Sequence, residues 1–353
     1  MIPLEEARHL VLSSCQPLPP RRVPAADALG CVTSEPIVAM EAIPAFANTA
    51  MDGYALRAED TAGAGPEHPV KLEVVGTLAA GDAPGDGVGP GQAVRIMTGA
   101  PLPPGADAVV MVELTETHPG VPTGADGSPP SGEAVLVRAE VAPGNHVRGP
   151  GEDLAPGEEV VPAKTELTPA YLGVLASLGV TAVTAHPPPR VGVLSTGNEL
   201  VQGGEALHPG QIRDTNRPTL LALARSSGFE ALDLGCARDT ESEIAAALEQ
   251  GLESCDAVVT TGGVSVGDFD YTKAVLDRLT AGTMRWMQVA IRPAKPFAFG
   301  IAGRTPVFGL PGNPVSSMVS FECFARPALR AMMGHTSLDR PEVMAVSDHG
   351  LPR

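Results

Sequence analysis

The sequence predicts a multidomain α/β protein, and three observations carry that reading. Strand-like and helix-like runs alternate from about residue 188 to 334, short Gly/Pro-punctuated runs give residues 44–141 a β-rich pattern, and 353 residues suffice for two or three cores. The alternating half should be doubly wound, with helices on both faces of a mostly parallel sheet.

The elements follow in chain order. Residues 1–10 (MIPLEEARHL) are acidic and amphipathic and lack a signal-peptide pattern. KLEVVGTL (71–78), AVRIM (93–97), AVVMVE (108–113) and AVLVRAE (134–140) read as short strands, with THPGVPTGADGSPPSG (117–132) as a low-complexity hairpin tip. LTPAYLGVLASLG (167–179) is a helix with Thr168 as N-cap, Pro169 at its first position and Gly179 closing it. VGVLSTG (191–197) is then a strand, PTLLALARSSG (218–228) a helix, EALDLGCA (230–237) a strand, and ESEIAAALEQGLESC (241–255) a helix with Ile244, Leu248 and Leu252 on one face. DAVVTT, YTKAVLDRL, MQVAI and PFAFGI continue the pattern into a closing helical region bent near Pro327. The expected organisation is a helical N-terminal domain (1–43 and 142–186), an inserted β-rich module (44–141), the α/β domain (187–335) and a last stretch, 336–353.

Composition narrows the function. A formal charge of −17 argues against nucleic acid or an anionic membrane as partner, because either needs a basic face. No apolar run approaches the ~18 residues of a membrane span, which predicts a cytosolic protein. Five cysteines without C-x-x-C suit reduced thiols, and eight dispersed histidines give no support to a transition-metal site. Only four of the 24 basic residues are lysines, and two of these, Lys273 and Lys295, follow the most informative stretch of the chain.

That stretch is TTGGVSVGDFDYTK (260–273), where a buried strand passes into a helix beginning near Phe269. Gly262, Gly263 and Gly267 let backbone N–H groups converge on an anion. Asp268 and Phe269 stand where a triphosphate loop needs Lys and Ser/Thr, so that reading fails. Asp268 and Asp270 would repel a bare phosphate and suit a cation such as Mg²⁺ bridging them to the anion. A tight strand–helix turn with Asp270 as cap remains the plain alternative.

Several strings point together: NTAMDGYALR (48–57), RIMTGAPLPPGADAVVMVE (95–113), GNHVRGPGEDL (144–154), STGNEL (195–200), QIRDTN (211–216), GGVSVGDFDYTK (262–273), and RPAKPFAFG (292–300) with GLPGNPVS (309–316). In this order they resemble the molybdopterin molybdenumtransferase family, similar to the C-terminal domain of gephyrin, over nearly the whole chain. The resemblance implies a reaction in which adenylylated molybdopterin loses AMP and its dithiolene receives molybdate, assisted by Mg²⁺. It also implies a homodimer whose site lies between the α/β domain of one subunit and the N-terminal domains of the other, with molybdopterin adenylyltransferase as a candidate partner. Carried over by position, the functional carboxylates and threonine are Asp52, Thr98, Asp153, Glu199, Asp239 and Asp270, with Glu199 and Asp270 toward Mg²⁺. Pterin binding falls to Thr196, Gly197, Gly262, Gly263, Ser265, Gly267 and Lys273; molybdate falls to Arg292, Lys295, Pro311, Pro314 and Ser316.

Plain readings stand beside these: Asp52 as a turn residue before Gly53, Asp153 as a surface charge, Glu199 as a carboxylate at a helix start, Arg292 as partner of a surface carboxylate. The chain departs from the family pattern in Asn198, where Asp is frequent, and in Gln288 and Arg292, where lysines are. Family members continue into a small C-terminal β-domain; residues 341–353 are expected to be its first strand, making the sequence a fragment, an ordered portion or a short version. Rival functions are a molybdopterin adenylyltransferase, disfavoured by AMDGYA and IMTGAP, and a gephyrin-like scaffold, disfavoured by the retained carboxylates.

Overall fold

The structure, a computed structural model, describes residues 1–117, 134–204, 206–263 and 271–350. Two compact units result, residues 1–36 with 161–353, and residues 37–160.

In the first unit, Arg190–Thr196, Ala257–Thr261 and Thr305–Leu310 are apolar runs buried almost end to end, as strands covered on both faces must be. They form the centre of a six-stranded sheet, in the order Glu230–Ala237, Arg190–Thr196, Ala257–Thr261, Thr305–Leu310, Pro296–Ala302, Arg285–Gln288. The first four are parallel and the last two antiparallel, so the sheet is mixed. The antiparallel pair arises because Thr305–Leu310, which the sequence reading passed over as a strand, returns from Pro296–Ala302 through a two-residue turn. Gly303 takes the first turn position with φ +63°, a conformation glycine adopts without strain.

Helices cover both faces, as a doubly wound domain requires. Helices Leu4–Ser14, Asn216–Ser226 and Arg326–Met332 contribute Val11, Leu220 and Met332 to one core, which Phe324 of the turn Phe321–Ala325 joins with Phe297, Phe299 and Phe308. Helices Glu241–Ser254 and Tyr271–Leu279 contribute Ile244, Leu248, Val275 and Leu276 to the other. Asn216–Ser226 starts two residues before the expected Pro218, because the Asp214 carboxylate accepts the Arg217 N–H and caps the turn.

The expected bend near Pro327 is a widened turn at Phe321–Ala325. Proline cannot donate to the carbonyl four residues back, that of Cys323, and Arg8 Nη1 donates to it instead at 2.9 Å. The stretch expected to be helical N-terminal domain also holds a three-stranded antiparallel sheet of Arg21–Pro24, Ala182–His186 and Val32–Thr33, beside helix Pro169–Ser177 with its Thr168 cap.

Residues 341–350 form no strand, contrary to expectation. Val343, Met344 and Val346 are 85, 102 and 95% exposed, and a strand holds only where a neighbour pairs with it.

The second unit is β-rich. Its sheet runs Ala108–Met111, Gly53–Leu56, Gln92–Ile96, Val70–Leu78, Ala134–Val137, Thr115–Thr117. Tyr54 and Leu56 enter one apolar cluster and Ala55 the other, so strand Gly53–Leu56 is buried on both faces. A Cβ on Gly53 would lie 2.0 Å from the Val110 carbonyl oxygen, so only glycine permits this approach of strands.

The Phe297 and Phe324 rings stack with centroids 4.1 Å apart, joining the sheet to the closing helix. Phe324→Ala should lower stability by about 3–5 kcal/mol, read as a fall in the urea midpoint at unchanged slope.

Candidate active site

In the α/β unit, polar atoms concentrate at the carboxyl ends of the parallel strands, where ligands of such sheets gather. The strand ends carry Ser195, Thr196, Thr260 and Thr261, whose buried hydroxyls require partners. Ser195 Oγ donates to Asp214 Oδ1 at 3.0 Å, Thr261 Oγ1 to the Pro311 carbonyl at 3.1 Å, and Thr272 Oγ1 to Thr196 Oγ1 at 3.5 Å. Asn216 Nδ2 donates to Thr261 Oγ1 at 2.8 Å and to the Gly312 carbonyl at 2.7 Å. Thus QIRDTN, the glycine cradle and GLPGNPVS meet.

Asp214 is the buried anchor, its side chain 2% exposed. It takes Arg217 Nε at 2.9 Å, and the same guanidinium pairs with Asp233. Burial works to lower the Arg217 pKa, yet the hydrogen bonds and charges of Asp214 and Asp233 hold it above its usual value.

The cradle is too tight for side chains. Gly262 and Gly263 have φ +96° and +67°, and a Cβ would meet the Thr196 carbonyl oxygen at 2.5 Å in the first case and Thr272 Cβ at 2.5 Å in the second. At Gly197 a Cβ would strike the Glu199 carboxylate at 2.5 Å, so that exposed acid folds back over the glycine. Ser195, Thr196, Glu199, Thr261, Gly262 and Gly312 line a cavity of about 80 Å³. Ser265, Gly267 and Asp270 lie outside the described residues, as do Asp268, Phe269, Arg353 and nearly all of the expected hairpin tip.

The remaining predicted residues of this unit take distinct places. Asp239 and Asn198 clasp each other, Asn198 N donating to Asp239 Oδ2 at 3.0 Å and Asp239 N to Asn198 Oδ1 at 3.1 Å. Lys273, in the first turn of its helix, lies 5.3 Å from the centre of the Trp286 ring. Arg292 and Lys295 are exposed on the loop between the antiparallel strands, which emerges at the same sheet end because Ala298 pairs with Gly309. Pro311 and Pro314 bracket the turn, where Asn313 Oδ1 accepts both Ser316 N at 3.1 Å and Ser316 Oγ at 3.3 Å. The Ser316 hydroxyl proton, expected to face an oxyanion, is engaged within the turn.

In the β-rich unit, Asp52 and Thr98 meet although 46 residues apart: Thr98 N and Oγ1 donate to Asp52 Oδ1 at 2.7 and 2.8 Å. The backbone bond from Thr98 and then its hydroxyl hold the exposed Asp52 carboxyl below its ordinary value, with Arg95 adding a smaller pull. Asp153 pairs with Arg148, and its backbone N–H donates to the Ile43 carbonyl at 2.9 Å.

Among the described residues no group of three His, Cys, Asp or Glu is placed to hold a metal ion. Burial pushes the Cys15 thiol up to about 12 and Cys31 and Cys236 to about 11, leaving them protonated and poor nucleophiles. No helix among the described residues is long and apolar enough to cross a membrane. Sequence reasoning assigned no role to Ser195, Asp214, Asn216 or Thr261; hydroxyls ending apolar strands were the available signal.

Residues 2–179 match the profile of the MoeA N-terminal region (domain I and II), and residues 192–331 that of a probable molybdopterin binding domain. The chain is 39% identical to molybdopterin molybdenumtransferase 2 of Mycobacterium tuberculosis, covering 97% of itself and 82% of that protein. It is 37% identical to molybdopterin molybdenumtransferase of Haemophilus influenzae, covering 97 and 80%. The crystal structure of a molybdopterin biosynthesis protein, moeA of Pyrococcus horikoshii OT3, superimposes with a TM-score of 0.72 at 31% identity, covering 96% of this chain and 81% of that one.

Asp52 supplies a test of geometry. Its depressed pKa contributes stability above the ordinary carboxylate range, and that contribution is lost as pH falls through the lowered folded-state value. Thr98→Val removes the hydroxyl and leaves the amide, so Asp52 should titrate higher than in the parent protein yet still below the ordinary 3.8. Carboxyl-carbon NMR titration of the two proteins checks this.

Proposed function

The chain belongs to the MoeA family of molybdopterin molybdenumtransferases, enzymes of molybdenum cofactor biosynthesis, and on that premise we propose how its residues divide the work. The observation that carries the proposal is convergence. Asn216, 45 residues from Thr261 and 96 from Gly312, joins three motifs at one end of the sheet.

The substrates are adenylylated molybdopterin and molybdate, and the reaction breaks the phosphoanhydride to release AMP as the dithiolene takes the metal. Thr196, Gly197, Gly262, Gly263, Ser265, Gly267 and Lys273 receive the pterin substrate, Gly262 and Gly263 making a turn, too tight for any Cβ, that leaves backbone amides for its phosphates. Glu199 and Asp270 hold Mg²⁺. Glu199 fits, since it is an exposed hard-oxygen donor beside the cradle, and Mg²⁺ is commonly held by one or two carboxylates with substrate phosphates rather than by a full protein cage. When bound, the ion neutralises charge on the anhydride.

Asp239 is locked on the Asn198 backbone beside Glu199, fixing the loop that presents it. Arg292 and Lys295 grip molybdate, one by paired donors and the other as a point charge, next to the turn stiffened by Pro311 and Pro314 with Ser316. Asp52 stays ionised because Thr98 saturates one oxygen, leaving the other free to accept a proton or a cation. Asp153, anchored on Arg148, adds a second acid in that unit. The working assembly is a homodimer.

Incubation with adenylylated molybdopterin, Mg²⁺ and molybdate or tungstate should release AMP with incorporation of metal. Adenylylation of free molybdopterin from ATP, with no metal incorporated, would overturn the reading. Arg292→Ala loses a charge-assisted hydrogen bond typically worth roughly 1.5–3 kcal/mol, so the molybdate needed for insertion should rise about ten- to a hundred-fold. Superimposable molybdate titrations of the two proteins would remove Arg292 from the oxyanion site.

A further inference from the structure

Asn216 spends both side-chain hydrogens, one on Thr261 Oγ1 at 2.8 Å and one on the Gly312 carbonyl at 2.7 Å. A carbonyl can only accept, so chemistry forces the amide's orientation. Its Oδ1 is left buried with no hydrogen-bond partner among the described residues. An orphaned buried acceptor works against the gain from the two bonds, so the arrangement adds little to folding.

What it secures is position. Thr261 Oγ1, accepting from Asn216, donates onward to the Pro311 carbonyl at 3.1 Å. A Cβ on Gly312 would stand 4.0 Å from Gly262 Cα, so the turn lies directly against the cradle. Gly312 has no side chain with which to hold itself there. Asn216 is fixed in its turn by Asp214, which takes Ser195 Oγ at 3.0 Å and Arg217 N at 3.2 Å on either side.

We propose that Asn216 is a positioning residue for the oxyanion substrate. By clamping the Pro311–Gly312 turn to the end of the Ala257–Thr261 strand, it sets where Asn313, Pro314 and Ser316 stand. This rests on the reading of that turn as part of the molybdate site.

Asn216→Leu removes both donors and the orphaned acceptor at similar volume, and Asn216→Ser serves as a second, smaller variant. Because the net contribution to folding is small, the thermal midpoint should move by no more than about 3 °C. Hydrogen exchange of the 309–316 peptide should quicken about tenfold, while that of the 257–261 strand stays as in the parent. Equilibrium dialysis with molybdate alone, read by metal content, should show affinity weakened about tenfold, or ~1.4 kcal/mol.

Unchanged exchange at 309–316 in a folded variant overturns the clamp. Unchanged molybdate affinity, or a parent protein that binds no molybdate, overturns its role toward the oxyanion. A large fall in midpoint with faster exchange throughout the unit, in both variants, overturns the proposal in favour of a merely structural residue. The enzymatic reading is judged separately by AMP release from the parent protein, so normal turnover beside wild-type molybdate binding in Asn216→Leu discards this proposal alone.

Discussion

Two-sided burial of the central strands is the constraint on which the rest of the α/β unit depends. Val191, Val193, Ala257, Val259 and Phe308 face one helical layer, while Leu194, Val258 and Val307 face the other. A strand so covered cannot carry a charge without an excessive desolvation cost, and the polar groups it tolerates are hydroxyls that reach a partner. Ser195, Thr196, Thr260 and Thr261 are therefore the strands' own polar contribution, and charge must come from the segments beyond. That is why Glu199, Asp214, Asp239, Arg292 and Lys295 all stand on loops, each placed by backbone geometry that the buried sheet fixes.

The same constraint explains the glycines. Where strands stop, the chain must turn at once while neighbouring backbones stay at sheet spacing, and at Gly262 the nearest obstacle is the Thr196 carbonyl itself. Only a residue without a Cβ lets the chain turn so close to that carbonyl. The β-rich unit applies the principle to a pair of acids and donors. Gly53 lets Ala108–Met111 close in, Val112 N donates to the Asp52 carbonyl at 3.2 Å, and Gly53 pairs with Ile96. That register leaves Asp52 beside Thr98, just past the end of the adjoining strand. The Asp52–Thr98 contact thus follows from strand pairing rather than from any local motif.

Paired charges in both units show how an acidic chain keeps carboxylates where they are useful. Asp214 shares Arg217 with Asp233, and Asp153 has Arg148. The buried Asp214 pair is expensive to form and more expensive to break, since removing one partner strands the other. Exposed pairs such as Arg148–Asp153 contribute little to stability and chiefly hold a side chain in place.

Much of this was determined by sequence alone, because the relevant forces are local. Thr168 and Pro169 mark a helix start by supplying a cap and a preset φ, apolar spacing in 241–254 fixes the buried face, and the glycine pairs announce turns no other residue adopts cheaply. The motifs named the family and drew attention to Asp52 and Thr98, but gave no role to Ser195, Asp214, Asn216 or Thr261, which hold the α/β cluster together. Tertiary structure decided the partners. Thr305–Leu310 is a strand only because Ala257–Thr261 and Pro296–Ala302 flank it; 341–350, of comparable apolar content, pairs with no strand among the described residues and forms none. The Ser316 hydroxyl turns to Asn313, Lys273 lies over Trp286, and Asn216 binds groups 45 and 96 residues away. Propensity, capping and periodicity act over a few residues, whereas a hydrogen-bond partner is whatever the packed sheet brings within 3 Å, and that is settled only when the chain has folded.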